Sequence, residues 1–77
     1  MKPIEFEGAN CVYGKNQPEY QPLPAYKADD GTVTTCWQLE PGDLEQIQGT
    51  GVIWLQMLTF NQALQPVLLL SENPINE

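Results

Sequence analysis

The sequence predicts a small α+β fold: an antiparallel sheet of about four strands, one short helix and a proline-rich strap. Short runs of β-branched and aromatic residues alternate with turn residues, which is typical of strands. One stretch, 40–49, instead has apolar residues three apart, which indicates a helix. Because 77 residues supply one small core, we expect a single domain over 1–70 and a frayed tail over 71–77.

The first two strands are expected near the N-terminus. Residues 3–6 alternate apolar and acidic side chains, as a strand with one buried face does, and Gly8 ends them. Residues 10–13 form a second extended piece, which Gly14 and the polar residues after it close.

The proline-rich segment Gln17–Ala25 predicts a connector without helix. Proline fixes φ at about −65° and biases the residue before it towards extended geometry. We therefore expect a rigid polyproline-like strap laid over the sheet, with Tyr20 and Leu23 as its anchors.

A hairpin is predicted around Asp30-Gly31, because glycine tolerates the positive φ that such turns need. Its arms are Ala25–Ala28 and Thr32–Leu39. The second arm alternates apolar and polar residues, so we expect one strand with one buried face.

The helix is predicted over Glu40–Gly49. Pro41 suits the first helical position, and Gly49 is suited to end the helix. Leu44 and Ile47 form its apolar face, and the acidic residues near its start favour the positive end of the helix dipole.

The stretch Gly51–Leu70 holds most of the apolar bulk. Over 52–60 both faces of a strand would be mostly apolar, so we expect the central strand of the sheet, covered on both sides. Asn61 and Gln62 are expected to turn the chain into a last strand at Val67–Leu70.

Two other structures of this stretch, a membrane span and a helix, fit its residues less well. A membrane span is disfavoured because several polar residues interrupt the apolar run. A helix over Ile53–Leu64 is the second alternative, since Leu, Gln, Met and Ala are good helix formers. Thr59-Phe60-Asn61 in its middle and Gly49-Thr50-Gly51 before it favour the strand.

The predicted core combines apolar residues from every element. Its members are Phe6, Val12, Leu23, Val33, Trp37, Leu39, Leu44, Ile47, Val52, Trp54, Leu58, Phe60 and Leu68.

The charge balance excludes some partners. Ten acidic and three basic residues give a net charge of −7. Such a surface repels phosphate, so we expect no direct contact with nucleic acid. It attracts basic partners at a distance, or it serves only to keep a small protein in solution.

Groups that perform chemistry are scarce. The sequence has no histidine and no arginine, which removes the commonest general base and the bidentate phosphate clamp. Cys11 and Cys36 lack a C-x-x-C spacing, so they predict no zinc site. We therefore expect no enzyme, no catalytic residue, no cofactor and no metal.

The start of the sequence, Met1 to Glu5, has no apolar run typical of a signal peptide. We expect a cytoplasmic protein whose cysteines stay thiols, and a disulfide between Cys11 and Cys36 is left open should they lie on neighbouring strands.

Several short motifs follow one another along nearly the whole chain: Gln17-Pro18-Glu19-Tyr20, Leu23-Pro24, Cys36-Trp37-Gln38-Leu39, Thr50-Gly51, Trp54-Leu55, Leu58-Thr59-Phe60 and Leu64-Gln65-Pro66. In this order and spacing the chain resembles a family of small phage and prophage proteins. The resemblance implies a phage or prophage origin in a bacterial cell, and no particular activity. Members of that family often carry basic residues on and after the short helix, where this chain is acidic.

Three functions agree with these observations. The first is a non-catalytic interaction protein that binds a host or phage protein. Its candidate contacts are Tyr13, Tyr20, Tyr26, Glu40, Asp43 and Glu45. The second is a phage structural or assembly component that forms a homo-oligomer, with Val67–Leu70 pairing to a copy of itself as an edge strand. The third is an acidic mimic of nucleic acid.

Overall fold

The computed structural model describes residues 1–19 and 21–75. Over these residues it has five short strands and one helix. They are β1 (Lys2–Ile4), β2 (Cys11–Tyr13), β3 (Leu23–Lys27), β4 (Val33–Thr34), β5 (Cys36–Gln38) and α1 (Pro41–Thr50). All strand pairs are antiparallel, so the small α+β fold predicted from the sequence is confirmed.

The strands form two sheets where the sequence predicts one. β2, β3 and β4 make a three-stranded sheet in that order, and β1 pairs with β5. The predicted single strand Thr32–Leu39 is divided at Thr35, with β4 in one sheet and β5 in the other. The indole N–H of Trp37 donates to the Thr35 hydroxyl at 2.9 Å, a side-chain bond across the division. A strand that changes sheets leaves each sheet small.

The prediction that Gln17–Ala25 forms a proline-rich strap is wrong for residues 23–25. These residues belong to β3, the middle strand of its sheet. Ala25 O accepts the N–H of Asn10 at 2.9 Å, so the polar groups of Ala25 face β2. Because successive residues of a strand alternate, the backbone polar groups of Pro24 face away from β2, towards the side of β4. The β3–β4 ladder begins only at Tyr26. The missing N–H of Pro24 therefore leaves no ladder bond unmade.

The two turns predicted before the helix are confirmed. Gly14 has φ 72°, and its carbonyl accepts the N–H of Gln17 at 3.2 Å. In the second turn the N–H of Gly31 donates to Ala28 O at 3.1 Å. Gly31 has φ 95°, a conformation that disfavours any residue with a side chain.

The helix α1 is confirmed, and it runs one residue beyond the predicted end. Pro41 lies at its start, and the side chain of Asp43 accepts the N–H of Glu40 at 3.0 Å. Its C-cap is Gly51, with φ 71°, and the N–H of Gly51 donates to Ile47 O at 2.7 Å. Gly49 lies inside the helix.

The prediction of two strands after α1 is wrong. Residues 52–59 and 63–70 have no regular secondary structure. A strand that is apolar on both faces needs a layer on each side, and sheets of two and three short strands offer no such cover. The edge strand predicted at Val67–Leu70 is therefore not formed within the chain.

The predicted core is also wrong. Among the described residues only Pro24 and Ala25 are buried, and Ala25 is fully so. Four of the predicted core residues are half-buried: Phe6, Leu23, Leu39 and Ile47. The other predicted core residues are exposed: Val12, Val33, Trp37, Leu44, Val52, Trp54, Leu58, Phe60 and Leu68. The packing around β3 is thus small, and most apolar bulk lies outside it.

Candidate functional site

A long segment after the helix, residues 52–70, is both apolar and exposed to solvent, and it is here called the apolar arm. Its large exposed hydrophobic residues are Val52, Ile53, Trp54, Leu55, Met57, Leu58, Phe60, Leu64, Val67, Leu68, Leu69 and Leu70. Trp54 is 90% exposed, Leu68 77% and Leu58 72%. Single exposed leucines are ordinary on protein surfaces, but a contiguous stretch of this kind indicates an interaction site.

The apolar arm is attached to the body at both ends. It begins at the Gly51 cap of α1, where the Val52 N–H donates to the Thr50 hydroxyl at 3.3 Å. Beyond its other end, Ile75 is half-buried, and a Cβ built on Gly8 would lie 3.5 Å from Ile75 Cδ1. The prediction of a frayed tail over 71–77 stays a prediction, and residues 76 and 77 lie outside the described part of the chain. The arm is therefore a loop that leaves the body and returns to it.

A tight turn lies in the middle of the apolar arm. Phe60 and Asn61 both have positive φ, 55° and 64°, and the N–H of Gln62 donates to Thr59 O at 3.0 Å. Two consecutive left-handed residues closed by such a bond have the φ signature of a type I′ turn, which joins hairpin strands. The sequence predicts a turn at Asn61 and Gln62, one residue away. The arm thus consists of two legs, 52–59 and 62–70, on either side of a hairpin-type turn.

The apolar arm also carries no charge. From Gln46 to Ser71 the sequence has no Asp, Glu, Lys or Arg, although the chain has a net charge of −7. A protein can contact this surface without desolvating an ionised group. The arm can form a dry contact, and it holds no group suited to acid–base chemistry.

The aromatic candidates do not form one surface. Cys11 pairs with Ala25, and Tyr26 pairs with Thr34. Since paired residues share a face and successive residues alternate, Tyr13 and Tyr26 belong to opposite faces of the β2–β3–β4 sheet. Tyr20 lies outside the described residues.

The phenol of Tyr13 lies next to a thiol. Its pKa is raised by desolvation first and then by Cys11, two residues earlier on the same strand. The Cys11 thiol donates to Ala25 O at 3.7 Å, and both Cys11 and Cys36 are free thiols. Because a phenol with a raised pKa stays neutral in ordinary buffers, Tyr13 supplies a hydrogen-bonding group and no anion.

Two of the candidate acidic residues, Glu40 and Asp43, form ion pairs within the chain. The terminal ammonium of Met1 lies 2.5 Å from Asp43 Oδ2 and 3.4 Å from Glu40 Oε1. The Met1 ammonium, then the Glu40 N–H, hold the pKa of the Asp43 carboxyl below its usual range. Asp43 and Glu40 therefore present a partly neutralised surface, and Glu45 lies on the exposed face of α1.

The depressions in the surface are small or open. One of about 520 Å³ runs along the exposed face of α1. Another of about 190 Å³ lies where the arm leaves the helix, lined by Met1, Asp43, Gln46, Ile47, Val52, Ile53 and Trp54. Neither has the enclosed shape of a small-molecule site. Across residues 1–19 and 21–75 there is no group of three or more metal-ligating His, Cys, Asp or Glu side chains.

Comparisons with known proteins return no match: no protein-family model, no curated protein and no solved structure matches this chain. In the described part of the chain, no helix has the length and apolar character needed to cross a bilayer.

Sequence reasoning missed the arm as a surface, because it assigned these residues to the core. Two signals in the sequence point to it. The stretch is apolar on both faces, and the rest of a 77-residue chain has too few apolar elements to cover both.

Proposed function

We propose that this chain is a non-catalytic interaction protein of a phage or prophage, which acts in the bacterial cytoplasm by binding a protein through the apolar arm, residues 52–70. The observation that carries the proposal is the exposure of the arm. Trp54 and Phe60, 90% and 68% exposed, together present on the order of 300 Å² of apolar surface, since one large ring carries ~150–250 Å². That is already comparable with the largest apolar patch of an ordinary monomer.

The composition of the arm suits a protein partner. Aromatic residues and methionine are enriched at the centres of protein interfaces, and charged residues are depleted there. Trp54, Met57 and Phe60 lie in a stretch without charge, and the acidic residues lie outside it. The composition of the arm therefore matches that of the centre of a protein interface.

The phage origin rests on the resemblance of the sequence motifs, and the bacterial cytoplasm follows from that origin. The acidic mimic of nucleic acid receives less support from the geometry. Asp43 and Glu40, two of its carboxylates, contact the ammonium of Met1. The long exposed arm carries no charge, which nucleic-acid mimicry does not need.

Capture of partners tests the proposal. A tagged chain is expressed in a bacterial host together with an untagged wild-type copy, with and without phage infection, and the co-purifying proteins, the untagged copy included, are identified. Leu58→Asp places a charge in the arm, and Leu44→Asp is the matched control, an exposed leucine on α1. We expect the wild type and Leu44→Asp to retain the same dominant protein and Leu58→Asp to lose it. Equal capture by all three chains would refute binding through the arm.

A further inference from the structure

The molecule exposes far more surface than a folded monomer of its size. Its accessible surface is 6974 Å², and its mass is 8.6 kDa. Folded monomers of this mass expose about 4,700 Å², so the excess is about 2,300 Å². The radius of gyration agrees: it is 13.9 Å, against about 11.5 Å for a compact chain of this length. The chain has surface left to bury.

The excess is of the size that a permanent assembly buries. Permanent complexes bury ~2,000–5,000 Å² in total, or ~1,000–2,500 Å² per partner, whereas standard interfaces bury ~800 Å² per partner. An excess of about 2,300 Å² per chain lies near the upper end of the permanent range. A brief contact with another protein would leave most of the apolar arm in water.

Charge favours a second copy as the partner. Eight of the ten acidic residues and all three basic residues precede Gln46, and the remaining acidic residues are Glu72 and Glu77. Two copies repel each other through their bodies, because like charges face like charges. Residues 46–71 are the one long surface on which two copies can meet without that repulsion. A foreign basic partner would instead be attracted to the acidic body.

The backbone of the arm supports the same conclusion. Among the described residues, the Gln62–Thr59 bond of the turn is the one backbone–backbone hydrogen bond that involves residues 52–70. Val52–Phe60 is rich in β-branched and aromatic residues, which suit pairing in a sheet. Phe60 holds a positive φ that is costly for a bulky residue and persists where surrounding structure supports it. A second arm would supply both the pairing and the support.

We infer that the apolar arm is a homodimer interface, in which the legs 52–59 and 62–70 of one copy pack against those of a second copy. This inference rests on the proposed function only in taking the arm to be a protein-binding surface. It goes beyond that proposal by identifying the occupant. In the dimer, Trp54, Leu58 and Phe60 form a core that one chain cannot make, and the acidic bodies lie on the outside.

Mass in solution tests the inference. The wild-type chain, Leu58→Asp and Leu44→Asp are each measured by sedimentation equilibrium over a wide range of concentration. We expect wild type and Leu44→Asp to have twice the mass of the chain. We expect Leu58→Asp to have the mass of one chain, with a dimer Kd raised at least about a hundredfold, because the interface would bury two unpaired carboxylates, one from each copy. Unchanged amide NMR signals from β2, β3 and α1 would show that the body stays folded.

Fluorescence gives a second readout on the same surface. Trp37→Phe leaves Trp54 as the one tryptophan. Its emission should move to longer wavelength on dilution of the dimer and in the Leu58→Asp background, as the ring becomes hydrated.

The outcomes separate the two proposals. A monomeric wild type at high concentration overturns the homodimer. If that monomer still captures a phage or host protein through Leu58, the proposed function stands, and if it captures none, both fall. A dimer that persists in Leu58→Asp, or an assembly larger than a dimer, overturns the arm-to-arm homodimer.

Discussion

At the scale of single residues, polar side chains close the ends of the hairpins. The carboxylate of Asp30 accepts two bonds from Thr32, from the N–H at 2.9 Å and from the hydroxyl at 2.7 Å. The amide of Asn10 donates to Lys27 O at 3.1 Å and accepts the Lys27 N–H at 2.8 Å. The Asn10 bonds pair the backbone of Lys27 beyond the end of the β2–β3 ladder, and the Asp30 bonds pair the N–H of Thr32 in the β3–β4 turn. Together they define where the turns begin.

The Asp30 turn gives a prediction about pH. The Thr32 hydroxyl, then the Thr32 N–H, lower the pKa of the Asp30 carboxyl below its ordinary value of about 3.9. A lowered folded-state pKa means that the contribution to stability is present above the unfolded value and is lost as the pH falls through the folded value. Thr32→Val removes the hydroxyl, so we expect the Asp30 pKa to rise towards its ordinary value in carboxyl NMR titration. Thr32→Ser, which keeps both donors, should leave it low, and equal values in the two variants would contradict this cause.

At the scale of elements, the helix shows how local chemistry defines a boundary. Pro41 and the Asp43 carboxylate suit its N-terminal end, and the left-handed Gly51 ends it. The helix has no buried residue, so tertiary packing contributes little to it. Its stability depends on its caps and on the propensities of its residues.

Two glycines at the end of the helix, Gly49 and Gly51, lie only about 3 Å apart along its axis, since the rise is ~1.5 Å per residue. They should nevertheless respond in opposite ways to substitution by alanine. Gly51→Ala places a side chain at φ 71° and should destabilise the protein by about 1 kcal/mol. Gly49→Ala lies within α1, where the new Cβ has no atom within 4 Å other than the local helix backbone, and it should stabilise the helix by about 0.5–1 kcal/mol. Thermal unfolding followed by circular dichroism measures both. A stabilising Gly51→Ala would contradict the left-handed cap.

At the scale of the whole molecule, two features oppose each other. The net charge of −7 keeps copies apart, and the uncharged apolar arm favours their contact. Which of them dominates depends on the ionic strength, because salt screens repulsion between exposed charges and leaves apolar contacts in place.

This balance predicts that salt strengthens self-association. Raising sodium chloride from low to physiological concentration should lower the dimer Kd a few-fold, as should lowering the pH towards the pI of 4.1. Sedimentation at several salt concentrations measures the trend. A partner attracted by the acidic surface would respond in the opposite direction, with a slower association rate at higher salt. A dimer that weakens as salt is added would therefore contradict association through the uncharged arm.

The sequence alone determined the local elements of this protein. Gly14 and Asp30-Gly31 predict turns that the structure has, because positive φ is a property of single residues and their neighbours. Pro41 predicts the start of α1 for the same reason, since a fixed φ and a missing N–H suit the first helical turn.

Only the tertiary structure decided where the apolar bulk lies. The apolar character of residues 52–60 predicts that they favour burial, but it does not predict which surface covers them. Covering depends on contacts between residues far apart in sequence, and here the strands that could have covered it are short and divided at Thr35. The residues that the sequence assigns to a central strand are therefore exposed on the surface. Because hydrophobic attraction has no direction, a second molecule can cover them as well as the same chain can.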